Sequence, residues 1–144
     1  MKICVCDDDK YTAEKIRDLI KEQTPEYQID VFFCGEDVLA GGSFDIAFLD
    51  IQMSGASGID TAAELKKRFP EIIIIFISSY SDYVTDAFSL EAFQYLVKPV
   101  DRDKFSEVFH KALESYKKSH YLHKIHCSKG ELCIPIVDIM YIET

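Results

Sequence analysis

Positive charge is in short supply in this chain of 144 residues: 16 Lys and Arg stand against 25 Asp and Glu, a formal net charge of -9. So acidic a surface repels a phosphate backbone, which excludes direct nucleic-acid binding by the chain as it stands. Long apolar runs are missing as well. The longest, Ile72 to Ile77, falls far below the roughly 18 residues a membrane span needs, and no basic and apolar leader opens the chain. A soluble, cytoplasmic protein with no membrane partner is expected. Gly (6) and Pro (4) are sparse while 48% of the residues are hydrophobic, which excludes a disordered or fibrous chain. No internal repeat or low-complexity segment is present, and the length fits one domain with an appendage. The five cysteines, at positions 4, 6, 34, 127 and 133, are odd in number, and three lie in apolar strand-like runs. That pattern suits buried thiols in a reducing compartment.

What is present is an alternation. Short β-branched runs at Lys2 to Cys6, Gln28 to Phe33, Asp45 to Leu49, Ile72 to Ile77 and Gln94 to Val97 are separated by segments of helical period. These include Ala13, Ile16, Leu19 and Ile20; Val38 and Leu39; and Ile59, Ala62, Ala63 and Leu65. A weaker helix is expected over Tyr83 to Ser89. The most regular one carries Phe105, Val108, Phe109, Ala112, Leu113 and Tyr116 at spacings of three and four. The class is α/β, a parallel sheet with helices on both faces. A polar helical linker, Tyr116 to His123, places a boundary near His120. Lys124 to Ser128 and Glu131 to Ile136 around Lys129-Gly130 read as a hairpin, with Asp138 to Glu143 as a third run, which gives a short C-terminal β tail.

In an open parallel sheet, sites form outside the carboxyl ends of the strands. The first strand runs into Asp7-Asp8-Asp9, the third ends at Asp50, the fourth at Ser78-Ser79, and the fifth is followed by Lys98-Pro99. Acids, hydroxyl and ammonium therefore converge on one rim. Each close pair among three such carboxylates repels by about 4 kcal/mol at about 4 Å with an effective dielectric near 20. The all-oxygen set calls for Mg²⁺, with Mn²⁺ as a substitute. The competing reading of Asp7 to Asp9 as helix caps uses one acid and leaves two unexplained. A carboxylate at Asp50 can accept a phosphoryl group as an acyl phosphate, with Lys98 as fixed cation and Ser78 as hydrogen-bond donor to a phosphoryl oxygen. A cis bond at Lys98-Pro99 would aim the lysine inward.

Together these residues resemble the receiver domain of two-component response regulators. The resemblance rests on Asp7-Asp8, on Phe48-Leu49-Asp50-Ile51-Gln52-Met53 with Gly58 eight residues past the aspartate, on Ser78, and on Tyr95-Leu96-Val97-Lys98-Pro99. It spans residues 1 to about 120 and implies a flavodoxin-like, doubly wound, five-stranded sheet of order 2-1-3-4-5. It also implies that Asp50 takes its phosphoryl group from a phosphohistidine on a sensor histidine kinase. Mg²⁺ would be held by Asp8, Asp50 and the Gln52 backbone carbonyl, with Asp7 acting through water. Ser78 and Tyr95 look like a switch pair that alters the face of the fourth helix, fifth strand and last helix, and with it homodimerisation. Ser54 stands where the family usually has Pro, and Ser78 where Thr is common.

The tail, with Lys129-Gly130, Ile136-Val137-Asp138-Ile139 and Tyr141-Ile142-Glu143, is similar to the opening of the LytTR-type DNA-binding domain. Tyr83, Ala87, Phe88 and Phe93 to Leu96 look like receivers of that subfamily. The implied organisation is a receiver over 1–120, with 121–144 as linker and first strands of a truncated output domain through which DNA would be bound. Such a protein is a phosphoacceptor with self-phosphorylation and self-dephosphorylation rather than a turnover enzyme, and it controls transcription.

An aspartate-nucleophile phosphatase normally requires a second acid two residues beyond the nucleophile, where this chain has Gln52. A dinucleotide-binding module lacks its Gly-rich loop after the first strand. A phosphorylation-independent interaction module stays open as an alternative. Cys4 and Cys6 read as buried small hydrophobes, and the expected strand break scatters His120, His123, His126 and Cys127 too widely for zinc.

Overall fold

The computed structural model describes residues 1–53, 55, 57–79 and 94–129, and for 120–129 the backbone alone. Its strands are β1 (Lys2–Cys6), β2 (Gln28–Phe32), β3 (Ile46–Asp50), β4 (Ile73–Ser78) and β5 (Gln94–Val97). Its helices are α1 (Lys10–Gln23), α2 (Gly35–Ala40), α3 (Gly58–Arg68) and α4 (Arg102–Lys129). All strand pairs are parallel, in the order β2-β1-β3-β4-β5. The expected strand order is thus found. The expected helix over Tyr83 to Ser89 lies outside the described residues, as do Glu131 to Ile136, Asp138 to Glu143 and the turn at Gly130.

The pattern of burial explains the architecture. β3 and β4 are buried at every position, and β1 at all but its first, so both faces of the central strands must be covered. On one face Cys4, Cys6, Ala47, Leu49 and Phe76 pack with Val38 of α2 and Ala62 and Leu65 of α3. On the other, Phe48 meets Phe105 and Phe109 of α4 with ring centroids 5.5 and 6.1 Å apart. Ala47 and Leu49 serve one face while Phe48 serves the other, as the two-residue period of a strand requires. α1 buries Ala13, Ile16, Leu19 and Ile20, a stripe at helical spacing.

The chain condenses into two compact units, Met1–Phe109 and His110–Thr144. In the second, the backbone is helical as far as Lys129, which corrects the strand expected over Lys124 to Ser128. The run begins inside a nucleated helix, where each added residue gains a hydrogen bond for the dihedrals it fixes. Only Ile125 in Lys124–Ser128 is β-branched, too little to favour a strand. The break expected to scatter His120, His123, His126 and Cys127 is therefore absent from the backbone up to Lys129.

One glycine is set by close approach. A Cβ at Gly58 would run into the Asp50 carbonyl oxygen and come within 2.8 Å of the Ile51 Cα, because α3 starts directly against the end of β3. Ser57 caps that helix, its side chain accepting from the Asp60 N–H. Gly58→Ala is predicted to destabilise the protein by about 2 kcal/mol, as overpacking of a tight contact does, measured by denaturant unfolding. Unchanged stability would show that β3 and α3 can separate without cost.

Candidate functional site

β1, β3 and β5 each deliver one charged group to the same rim. Asp7, directly after β1, is 3% exposed, and Asp50, the last residue of β3, is 5% exposed. Asp8 is exposed beside them, and one carboxylate oxygen from each of the three lies within 4.8 Å of the other two. Lys98 follows β5, and its Nζ stands 2.7 Å from Asp7 Oδ2 and 3.4 Å from Asp50 Oδ2. The Lys98 N–H donates to the Ser78 carbonyl at 2.8 Å, which ties the end of β5 to that of β4. The Lys98-Pro99 bond is cis.

Both oxygens of Asp7 are engaged, since Oδ1 accepts from the Asp9 N–H at 2.9 Å and Oδ2 faces Lys98. Asp9 stands apart from the site. It precedes α1, and its Oδ2 accepts from the Thr12 hydroxyl at 2.6 Å, which holds its carboxyl below the usual range. Ser78 is 1% exposed at the end of β4. Tyr95 on β5 is half-buried and packs against the α2–α3 side of the core. Phe76 pairs with Tyr95 and Ser78 with Val97, so Ser78 and Tyr95 are diagonal neighbours on one sheet face. Gln52 lies in the loop two residues past Asp50.

Electrostatics at the rim are unbalanced. Burial, reinforced by the charge of Asp7 and opposed by Lys98, pushes the Asp50 carboxyl up to about 6. Burial works against the charge on Lys98, but its hydrogen bond to Asp7 and the charges of Asp50 and Asp7 outweigh it, so its pKa is raised. Lys98 thus leaves Asp50 under-compensated. The donor set of the carboxylates is all oxygen, one group exposed and two buried, which fits a hard divalent cation. Cys6 behaves differently: burial, then Cys34, Asp7 and Asp50, push its thiol up to about 12. It stays protonated, and the Cys6 thiol donates to Met53 Sδ at 3.3 Å.

The structure brings Asp7, Asp8, Asp50 and Lys98 together and puts Ser78 at the neighbouring strand end, while Tyr95 lies two residues before the end of β5 and Gln52 in the loop past Asp50. The sulfur contact between Cys6 and Met53 was not foreseen, because it joins residues 47 positions apart. Nor was the position of Glu36, whose carboxylate lies against Gly55. The positive φ of 82° at Gly55 is a conformation that glycine favours, and that residue type was the only local signal.

The raised Asp50 pKa has a stability consequence. Between the unfolded value near 4 and about 6 the native state holds more protons than the unfolded state, so stability falls as pH rises through 6. In the absence of metal, Asp50→Asn is predicted to be more stable than wild type by on the order of 2 kcal/mol at pH near 8, with the gap closing towards pH near 4. Denaturant unfolding in chelator at several pH values measures this. A gap independent of pH would contradict the assignment of burial as the cause.

Comparison with known proteins agrees with this geometry. The family described as the response regulator receiver domain matches residues 3–110. The sensory transduction protein LytT of Bacillus subtilis is 29% identical over an alignment covering 100% of this chain and 65% of that protein. LytT of Bacillus anthracis is 34% identical, with 82% of this chain and 48% of that protein covered. The chain thus spans about half to two thirds of the length of these curated relatives. Among solved structures, the BeF3-activated receiver domain of DrrB from Thermotoga maritima superposes with a TM-score of 0.73 at 28% identity, covering 78% of this chain and 97% of that one. The acid rim, the lysine after the fifth strand and the 2-1-3-4-5 sheet have the same explanation: the chain belongs to the receiver-domain family of two-component response regulators, and it is similar to LytT.

Proposed function

We propose that Asp50 accepts a phosphoryl group from a phosphohistidine of a sensor histidine kinase, and that the resulting acyl phosphate switches the domain. The observation that carries this reading is the placement of the Lys98 ammonium 3.4 Å from a buried Asp50 carboxylate beside two further acids. An Asp50 oxygen attacks phosphorus, the phosphorus–nitrogen bond breaks, and the electron pair leaves with the imidazole. Lys98 is held in place by Asp7 before the reaction begins, so its charge needs no reorganisation as the phosphoryl oxygens arrive. The Ser78 hydroxyl donates to one of those oxygens, and Tyr95, its diagonal neighbour, responds to the movement.

Asp8, Asp50 and the Gln52 carbonyl would hold Mg²⁺, or Mn²⁺ in its place. Asp7, with both oxygens engaged, would act through water. When bound, the cation supplies charge neutralisation between the acceptor carboxylate and the incoming phosphoryl group. Gln52 stands where a phosphatase would carry its general acid, which favours a long-lived acyl phosphate with slow self-dephosphorylation over turnover.

Homodimerisation on activation and control of transcription follow in this reading. Residues 1–120 form the receiver, and the segment from 121 leads into a LytTR-type output domain that contacts DNA. The alignment to Bacillus subtilis LytT, which extends over all of this chain, supports that organisation. Among the described residues no helix is long and apolar enough to cross a membrane, in keeping with a cytoplasmic regulator.

Incubation with Mg²⁺ and a small acyl-phosphate donor, followed by intact-mass spectrometry, tests the acceptor chemistry. Wild type is predicted to gain one hydroxylamine-labile phosphoryl group and Asp50→Asn none, while Lys98→Ala accepts the group more slowly and fails to switch oligomeric state. A wild-type rate of labelling in Asp50→Asn would sink the assignment.

A further inference from the structure

The chain between Asp50 and Gly58 is a loop closed at its neck, where the Gly58 N–H donates to the Ile51 carbonyl at 2.8 Å. From Gln52 to Ser57, Met53 alone has a long apolar side chain. That side chain packs on the core cluster to which Cys6, Leu49, Ile51 and Ala62 belong. There the Cys6 thiol donates to its sulfur at 3.3 Å. A second group lies close to Gly55. Gly55 takes a φ of 82°, and the two carboxylate oxygens of Glu36, in the first turn of α2, stand 2.8 and 3.0 Å from the point a Gly55 Cβ would occupy. Met53 is thus held from β1, and the Glu36 carboxylate of α2 lies over Gly55.

The Met53 contact bears on the cation site through the covalent chain. Cys6 immediately precedes Asp7, and Met53 immediately follows Gln52. One sulfur–sulfur contact therefore links the two segments that carry the acids of β1 and the carbonyl beyond β3. Ser54, next in sequence, lacks the ring by which a proline fixes φ.

We infer that Met53 and Glu36 are positioning residues for the cation site, holding the loop so that the Gln52 carbonyl keeps its spacing from Asp8 and Asp50. The inference rests on the proposed role of the Gln52 carbonyl as a ligand. Mg²⁺ demands near-ideal octahedral geometry, so a loop free to shift loses affinity even with every ligand present. The acids alone cannot correct this, because Asp7 and Asp50 are fixed at strand ends.

The test uses the full chain with Mn²⁺ alone, the free ion being counted by its EPR signal and Mg²⁺ read by competition. Met53→Ala and Glu36→Ala are each predicted to weaken binding about tenfold, as loss of a supporting contact around a metal does. Met53→Leu, which conserves apolar volume, is predicted to bind within about twofold of wild type. Glu36→Gln, which keeps an acceptor oxygen over Gly55, is predicted to do the same. Thermal unfolding of each variant checks the fold, and Glu36→Ala, on an exposed side chain, keeps the test open if Met53→Ala unfolds. Wild-type affinity in both alanine variants overturns the inference while leaving the phosphoacceptor reading intact. Equal weakening by Glu36→Gln and Glu36→Ala also overturns it, since charge rather than contact would then govern. Absence of cation binding in wild type would overturn the reading of the site itself, and this inference with it.

Discussion

The bridge from Lys98 to Asp7 and Asp50 is the interaction around which the rest of the rim is arranged. Its two arms differ: 2.7 Å to Asp7 and 3.4 Å to Asp50. Asp7 takes the closer ion pair and the Asp9 N–H as well, so its charge is well compensated where it is buried. Asp50 receives the weaker share and is held up to about 6 by burial. A buried acid with incomplete compensation is costly to the native state. In the proposed reaction, a cation and an incoming phosphoryl group would both offset that cost at Asp50.

The fold makes this arrangement accessible because every strand of the sheet runs the same way. Parallel strands bring their carboxyl ends to one edge, so residues as far apart as Asp7, Asp50, Ser78 and Lys98 become neighbours. The central strands are covered on both faces, and the aromatic stack of Phe48, Phe105 and Phe109 fills one side. Rigidity of that packing fixes the strand ends. Beyond Asp50, Met53 packs back on the core and Gly58 lets α3 start directly against the end of β3.

Much of this was legible from residue order, and the reasons can be traced. β1 and β5 fall on the expected residues because each is bounded by a change from apolar to charged: Cys6 to Asp7, and Val97 to Lys98. β3 and β4 each run one residue further than the apolar runs indicate, since Asp50 and Ser78 keep strand geometry although they are polar. Periodicity alone reads a polar residue there as the end of a strand. The site residues were visible because their types fall at strand ends. What was not visible depends on tertiary contact. Cys6 read as a small buried hydrophobe, and it is buried, but its thiol also meets Met53. Glu36 stands in the first turn of α2, and only the tertiary fold brings its carboxylate over Gly55. The strand expected over Lys124 to Ser128 failed because five residues of weak β preference follow a helix already under way.

Asp50 is a buried, under-compensated carboxylate, and in the proposed function a cation completes it. A ¹³C NMR titration of the Asp50 carboxyl carbon, in chelator and again with Mg²⁺, tests it most directly. The account predicts a midpoint near 6 without metal and a clear downward displacement when Mg²⁺ is added. An Asp50 midpoint at about 4, the ordinary value for an aspartate, unmoved by Mg²⁺, would contradict it.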